Sequence, residues 1–201
     1  MKQIAKHARL LQEEREPPPS LHGFHHVAYR CRCAKETVEF YEHALGATFE
    51  LAISEDHVPS TGEANPYMHV FLNIGGDNVL AFFELPQSPS MGRDENTPAW
   101  VQHIALRVAN LQALGAAKAH LESLAIEVLG PVDHGIFRSI YFHDPNGHRL
   151  ELAADVGDEA QRQRLRAVAR PMLDEWHTTG KAPRHAAWVH DNKPHRDPTP
   201  T

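Results

Sequence analysis

The chain has 201 residues, 41% of them hydrophobic and 23% charged, so it can bury one sizeable core or two small fused cores. Its 20 Lys and Arg against 26 Asp and Glu leave a formal charge of −6, and the basic residues form no dense run, which argues against a nucleic-acid surface. No apolar stretch approaches the roughly 20 residues of a membrane span, and the first residues lack the apolar segment of a signal peptide. The only cysteines, Cys31 and Cys33, have no second pair nearby, so a reducing, cytoplasmic setting is expected.

The first 86 residues predict a short extension and one compact unit. Residues 1–23 predict an amphipathic helix that ends at a proline-rich linker. From residue 24 the alternation of "FHHVAYRC" indicates a strand, and "AKETVEFYEHALG" has helical spacing with a glycine stop. The runs "ATFELAI", "YMHVFLNI" and "NVLAFFEL" then predict three strands. The predicted order over 24–86 is strand, helix, strand, strand, strand.

The same order returns after a polar linker at 87–99. "WVQHIALRV" predicts a strand, and the next run predicts a helix capped by Asn110. Three further strands follow, the last two joined by a tight turn "DPNG" at 144–147. The segments "HHVAYR" at 25–30 and "QHIALR" at 102–107 mark the repeat. We therefore predict an α+β fold of two βαβββ modules, 24–86 and 100–154.

The end of the chain, 155–201, resembles neither module. Its first part predicts a helix interrupted at Pro171, and its polar end predicts a mobile tail. We expect this extension to serve packing or dimer contacts.

The repeat places His26 and His103 at equivalent points, and each module ends in an apolar strand that carries one carboxylate, Glu84 or Glu151. A carboxylate in such a strand is costly to bury unless it is paired or binds a cation. If the modules pack about a pseudo-twofold axis, the four side chains could converge on a divalent transition metal. A lone histidine on a strand is more often a hydrogen-bonded core residue, but the repetition favours ligands.

These modules, with "EFYEHALG" and "YFHDPNGHRLELA", resemble the vicinal oxygen chelate superfamily, which includes glyoxalase I, extradiol dioxygenases, fosfomycin-resistance enzymes and bleomycin-binding proteins. The resemblance covers 24–154. It implies a curved sheet around a metal site, with His26, His103 and Glu151 as ligands. Glu84 matches the fourth ligand of glyoxalase I and is therefore a possible fourth ligand here. Extradiol enzymes lack this fourth ligand.

The resemblance also implies two catalytic residues. Tyr141 lies ten residues before Glu151, where extradiol enzymes are similar in placing a tyrosine that faces the substrate. His134 lies in the loop before that strand, near an active-site histidine of those enzymes. One observation argues against the dioxygenase reaction. Residues 70–102 contain no histidine, whereas the dioxygenases have an acid–base histidine shortly before the second metal histidine. Ordinary roles stay open for both residues: Tyr141 as a strand aromatic and His134 as a loop residue.

Three functions follow in order of preference. The first is an extradiol-type ring-cleaving dioxygenase that uses Fe(II) on a catechol-like substrate. The second is a glyoxalase-I-like lyase or isomerase acting on a 2-oxoaldehyde adduct, with Ni(II), Zn(II) or Mn(II) as possible metals. The third is a metal-free binding protein of the bleomycin-resistance type. A homodimer is expected, with no nucleic acid or membrane partner. The sequence leaves open whether the metal site lies within one chain or between two chains.

Overall fold

A computed structural model describes residues 20–92 and 94–190. Within them the fold is α+β, with two βαβββ modules and a helix after the second, which confirms the predicted fold class. The predicted helix at the start of the chain and the predicted mobile tail lie outside the described residues. No helix in the described ranges is long and apolar enough to cross a membrane.

The first module contains β1 (Val27–Cys31), α1 (Ala34–Leu45), β2 (Thr48–His57), β3 (Ala64–Asn73) and β4 (Val79–Glu84). Its sheet has the strand order β1-β4-β3-β2, in which β1 is parallel to β4 and the other pairs are antiparallel. β2 and β3 both extend beyond the predicted runs into the polar segment between them.

The second module contains β5 (Ile104–Arg107), α2 (Leu111–Ser123), β6 (Leu129–Asp133), β7 (Phe137–His143) and β8 (Arg149–Asp155). Its sheet has the corresponding order β5-β8-β7-β6, again with only the first pair parallel. The two modules therefore share both element order and topology.

Each sheet has one face covered by its own helix and one face turned away from it. Side chains of a strand alternate between the two faces, so every second residue of the central strands reaches the helix. These side chains are fully buried, and each stabilises the fold by about 1.5–3 kcal/mol. The largest on the strands are Phe82, Phe142, Leu72, Ile140 and Leu150, and the helices contribute Tyr41, Leu114 and Leu121.

The turn at 144–147 joins the modules as well as the strands β7 and β8. Asn146 Oδ1 accepts a hydrogen bond from the backbone N–H of Arg32 at 2.8 Å, and Asn146 Nδ2 donates to Thr37 Oγ1 at 3.0 Å. His148 Nε2 lies 2.7 Å from the backbone oxygen of Arg30. The modules thus meet beside β1 and the start of α1.

The third helix, α3 (Glu159–Thr179), runs through Pro171 without a break, so the predicted interruption is wrong. A proline inside a helix removes one backbone hydrogen bond but does not always end the helix. Here Asp158 and Gln161 form a capping box that fixes the helix start.

Candidate metal site

His103 and Glu151 form a close pair on the sheet face turned away from α2. His103 directly precedes β5, and Glu151 lies in β8 opposite Ala105. The distance from His103 Nε2 to Glu151 Oε2 is 2.9 Å. Two ligand atoms about 2.1 Å from one metal ion, at a right angle, are separated by about 3 Å. The two side chains therefore have the spacing of adjacent metal ligands.

The hydrogen bond that His103 makes through one ring nitrogen directs the other ring nitrogen toward Glu151. His103 Nδ1 lies 3.0 Å from the backbone oxygen of Val101, so Nδ1 carries a proton that it donates there. In the neutral ring, Nε2 then has a lone pair that faces the Glu151 carboxylate. Two acceptors at this distance repel each other unless a proton or a metal ion lies between them. A histidine held by its second nitrogen in this way is typical of metal ligands.

Ser139 orients the carboxylate of Glu151. Its hydroxyl donates a short hydrogen bond to Glu151 Oε1, and both residues are buried. Ser139 and Tyr141 are two residues apart on β7 and therefore share a face. Ser139 was not predicted as a site residue, although its alternation with Tyr141 was the available signal.

Tyr141 and His134 form a second pair beside the first. The distance from His134 Nε2 to the Tyr141 hydroxyl is 2.8 Å, and the His134 ring stacks on Phe137. Partial burial, and then the negative charge of Glu151, raise the pKa of the Tyr141 hydroxyl. Tyr141 therefore stays protonated at neutral pH. The guanidinium of Arg149 covers its ring, 4.3 Å from the centroid.

His26 lies in the first module, away from this cluster. It directly precedes β1, as His103 precedes β5, but its ring neighbours are His25, His69 and Phe71 of its own module. Its Nδ1 lies 2.7 Å from Nδ1 of His25. The described residues contain no group of three or more His, Cys, Asp or Glu side chains placed to hold one metal ion. One chain thus brings together His103 and Glu151, but not His26.

The strand register shows which residue of the first module corresponds to Glu151. β5 pairs Ala105 with Glu151, and β1 pairs the equivalent Ala28 with Ala81. Ala81, not Glu84, is therefore the counterpart of Glu151. The first module has no carboxylate at this position.

Glu84 contacts the N-terminus of α1. Its Oε2 accepts a hydrogen bond from the backbone N–H of Ala34 at 2.6 Å. The preceding residue, Cys33, makes no side-chain cap of its own. Glu84 shares its sheet face with the buried Phe82, which is the helix side, whereas His26 lies with Phe71 on the opposite face. The structure therefore separates Glu84 from His26.

His69 is a further polar residue of the first module that sequence reasoning missed. It lies on β3, two residues before Phe71, at the position that corresponds to Ser139. Its ring stacks on Phe83, only 8% of the residue is exposed, and its Nε2 has no hydrogen-bond partner among the described residues. Burial, and then the neighbouring His26, lower the pKa of His69 to about 4. His69 is therefore neutral near pH 7.

The comparisons with known proteins agree with this architecture. The model of the Glyoxalase/Bleomycin resistance protein/Dioxygenase superfamily matches residues 23–152. The chain belongs to this superfamily, which confirms the resemblance seen in the sequence. Among curated proteins it is similar to biphenyl-2,3-diol 1,2-dioxygenase 3 from Rhodococcus globerulus, with 38% identity over 69 residues. That match covers 33% of this chain and 36% of the enzyme, so the chain matches about a third of its relative's length.

Solved structures show the same fold. A glyoxylase/bleomycin resistance protein/dioxygenase domain from Frankia sp. EAN1pec has 18% identity and a TM-score of 0.54, over 68% of this chain and 100% of that one. A glyoxalase family protein from Enterococcus faecalis has 24% identity and a TM-score of 0.50, over 66% of this chain and 97% of that one.

Proposed function

We propose that the protein is a divalent-metal-dependent enzyme, an extradiol-type dioxygenase that cleaves a catechol-like substrate. The observation that carries this proposal is the approach of His103 Nε2 to Glu151 Oε2 at 2.9 Å, next to the hydrogen-bonded Tyr141 and His134. The dioxygenase from Rhodococcus globerulus supports the choice of reaction.

The residues present fit a metal ion. His103, Glu151 and His26 would hold it, a set of two histidines and one carboxylate that suits Fe(II) and leaves coordination positions open. When bound, Fe(II) would hold the two substrate oxygens and activate dioxygen. Mn(II), Ni(II) and Zn(II) are the alternatives, and elemental analysis of protein purified without chelator distinguishes them.

The chain's own residues would orient the substrate and move protons. Because Tyr141 keeps its proton, its hydroxyl can donate a hydrogen bond to a substrate oxygen while it accepts one from His134. His134 can then give a proton to the Tyr141 hydroxyl as that hydroxyl gives its own proton to the substrate oxygen, or take one back by the reverse route. Ser139 holds Glu151 in place throughout.

The glyoxalase-like reaction receives less support. In the form that uses Glu84 as fourth ligand, it requires this carboxylate beside His26. The contact of Glu84 with the start of α1 leaves it on the opposite face of the sheet.

We further propose that the enzyme is a homodimer in which His26 of one chain completes the site of the other. The face of the first module that carries His26 also exposes Leu51 and Ile53, which pair with Phe71 and His69 across the sheet. A second copy would cover this apolar face and bring the missing ligand. The free thiols of Cys31 and Cys33 are compatible with the cytoplasmic location that the proposal includes.

Oxygen uptake by the Fe(II)-loaded protein tests the reaction. We expect uptake and ring cleavage with at least one member of a catechol panel, lost in Glu151→Gln and His103→Asn and lowered in Tyr141→Phe. An exposed histidine variant, His57→Gln, is the matched control and should keep full activity. Metal bound in the expected ratio without uptake on any catechol would exclude the dioxygenase.

A further inference from the structure

A cavity of about 510 Å³ opens beside the candidate metal site. Its walls come from linker residues 91, 92, 94 and 97–99, from the strand ends around His103 and Arg149, and from Tyr29 and Arg32 of the first module. This volume is ordinary for a small-molecule site. Because His103 forms part of its wall, a molecule in the cavity lies next to the candidate metal ligands.

The cavity wall carries two guanidinium groups, those of Arg32 and Arg149, that form no ion pair with a carboxylate of the described residues. The guanidinium of Arg149 lies over the Tyr141 ring, and Arg32 Nη1 donates a hydrogen bond to the backbone oxygen of Pro145 at 2.8 Å. Elsewhere on the strands of the second module, Arg107 and Arg138 each lie within 4 Å of an aspartate. Arg32 and Arg149 are thus left to bind something else.

One carboxylate, Asp94, also lines the cavity. It accepts hydrogen bonds from the hydroxyl of Thr97 and from the backbone N–H of Asn96, which together lower its pKa and keep it ionised. Both bonds belong to a turn of the linker, so Asp94 is held there and not beside either guanidinium. Two guanidinium groups and one carboxylate therefore line the cavity.

We infer that the cavity selects substrates that carry a carboxylate next to the reacting group, with Arg149 and Arg32 binding that carboxylate. This inference rests on the proposed function and names its substrate class. A planar guanidinium binds a carboxylate through two parallel hydrogen bonds, and each such charge-assisted contact is worth about 10- to 100-fold in affinity. Arg149 also connects the carboxylate to Tyr141, whose ring it already covers.

Ligand selectivity tests the inference apart from turnover. Binding of protocatechuate, a catechol with a ring carboxylate, and of methylcatechol, its neutral counterpart, is measured calorimetrically on the full chain. The ratio of kcat/KM for the two compounds is measured on the Fe(II)-loaded protein. We expect the protein to prefer protocatechuate by at least about tenfold. Arg149→Gln and Arg32→Gln should each reduce this preference, and the double variant should abolish it.

Arg107→Gln is the matched control, because Arg107 lies on a strand of the same sheet but outside the cavity, and its preference should equal that of the unchanged protein. Because Arg149 touches Tyr141, its substitution can change kcat as well, so the readout is the preference ratio and not kcat. Arg32→Gln gives a result that does not depend on Tyr141. Equal affinity for the two compounds, or a preference that survives in the double variant, overturns the inference. Selective binding of protocatechuate, with no turnover of any catechol by the Fe(II)-loaded protein, would support the cavity assignment while it excludes the dioxygenase.

Discussion

At the scale of single residues, the two carboxylates that end the modules have different surroundings. Glu151 is 3% exposed and lies beside His103, whereas Glu84 accepts a hydrogen bond from the first N–H of α1, that of Ala34. The sequence predicts both as carboxylates in apolar strands. It does not predict their difference, because that depends on a strand register in which Ala81 takes the place equivalent to Glu151.

Glu84→Gln tests this difference. A charge near a helix N-terminus stabilises the helix by about 0.3–1 kcal/mol, so we expect the substitution to lower the free energy of unfolding by that amount. Metal affinity and turnover should stay unchanged. Urea denaturation and metal titration measure the two effects, and a large loss of metal affinity in Glu84→Gln would restore Glu84 as a ligand.

His69 makes stability depend on pH. Its pKa is about 4 in the folded chain against an ordinary value of 6.5, so the unfolded chain takes up a proton first as the pH falls. The contribution of neutral His69 is therefore complete above about pH 6.5 and decreases toward pH 4. We expect the urea midpoint of unfolding of metal-free His69→Phe, measured relative to that of the unchanged protein, to be higher at pH 5 than at pH 7. An equal difference at the two pH values would contradict this.

At the scale of elements, the sequence predicts the order of strands and helices in both modules, because period-two and helical patterns alternate clearly. It misses their extent where polar residues continue a strand. β2 continues through 54–57, in a segment that composition assigns to a loop, because its partner β3 supplies the hydrogen bonds. Pairing between strands, which one segment alone does not reveal, sets these ends.

Asn110 is an element-scale prediction that the structure confirms in detail. Its side-chain oxygen accepts a hydrogen bond from the backbone N–H of Ala113 at 2.9 Å, which caps α2. Asn110→Ala should lower the free energy of unfolding by about 1 kcal/mol. Asn96→Ala in the linker, where the side chain caps no helix, is the control. Chemical denaturation of both variants should show a shift for Asn110→Ala alone.

At the scale of the whole molecule, the repeat predicts two equivalent modules but not how they meet. Within one chain they meet through the turn at 144–147 and the start of α1, where Asn146 bonds to Arg32 and Thr37. This contact leaves the face of His26 and the face of His103 apart. The sequence therefore predicts that His103 and Glu151 lie close together within the second module, but not that His26 lies away from them, since contacts between sequence-distant surfaces leave no local pattern.

Mixing two inactive variants tests whether two chains share the site. His26→Ala removes the ligand of the first module, and His103→Ala removes the ligand of the second. If His26 of one chain completes the site of the other, a mixed dimer carries one intact site and one site without either histidine. Random exchange makes half of the dimers mixed, so we expect activity and bound metal to return to about a quarter of the unchanged protein's values. Each variant mixed with itself should recover nothing. If each site used residues of one chain only, every site would still lack one histidine, and the mixture would stay inactive.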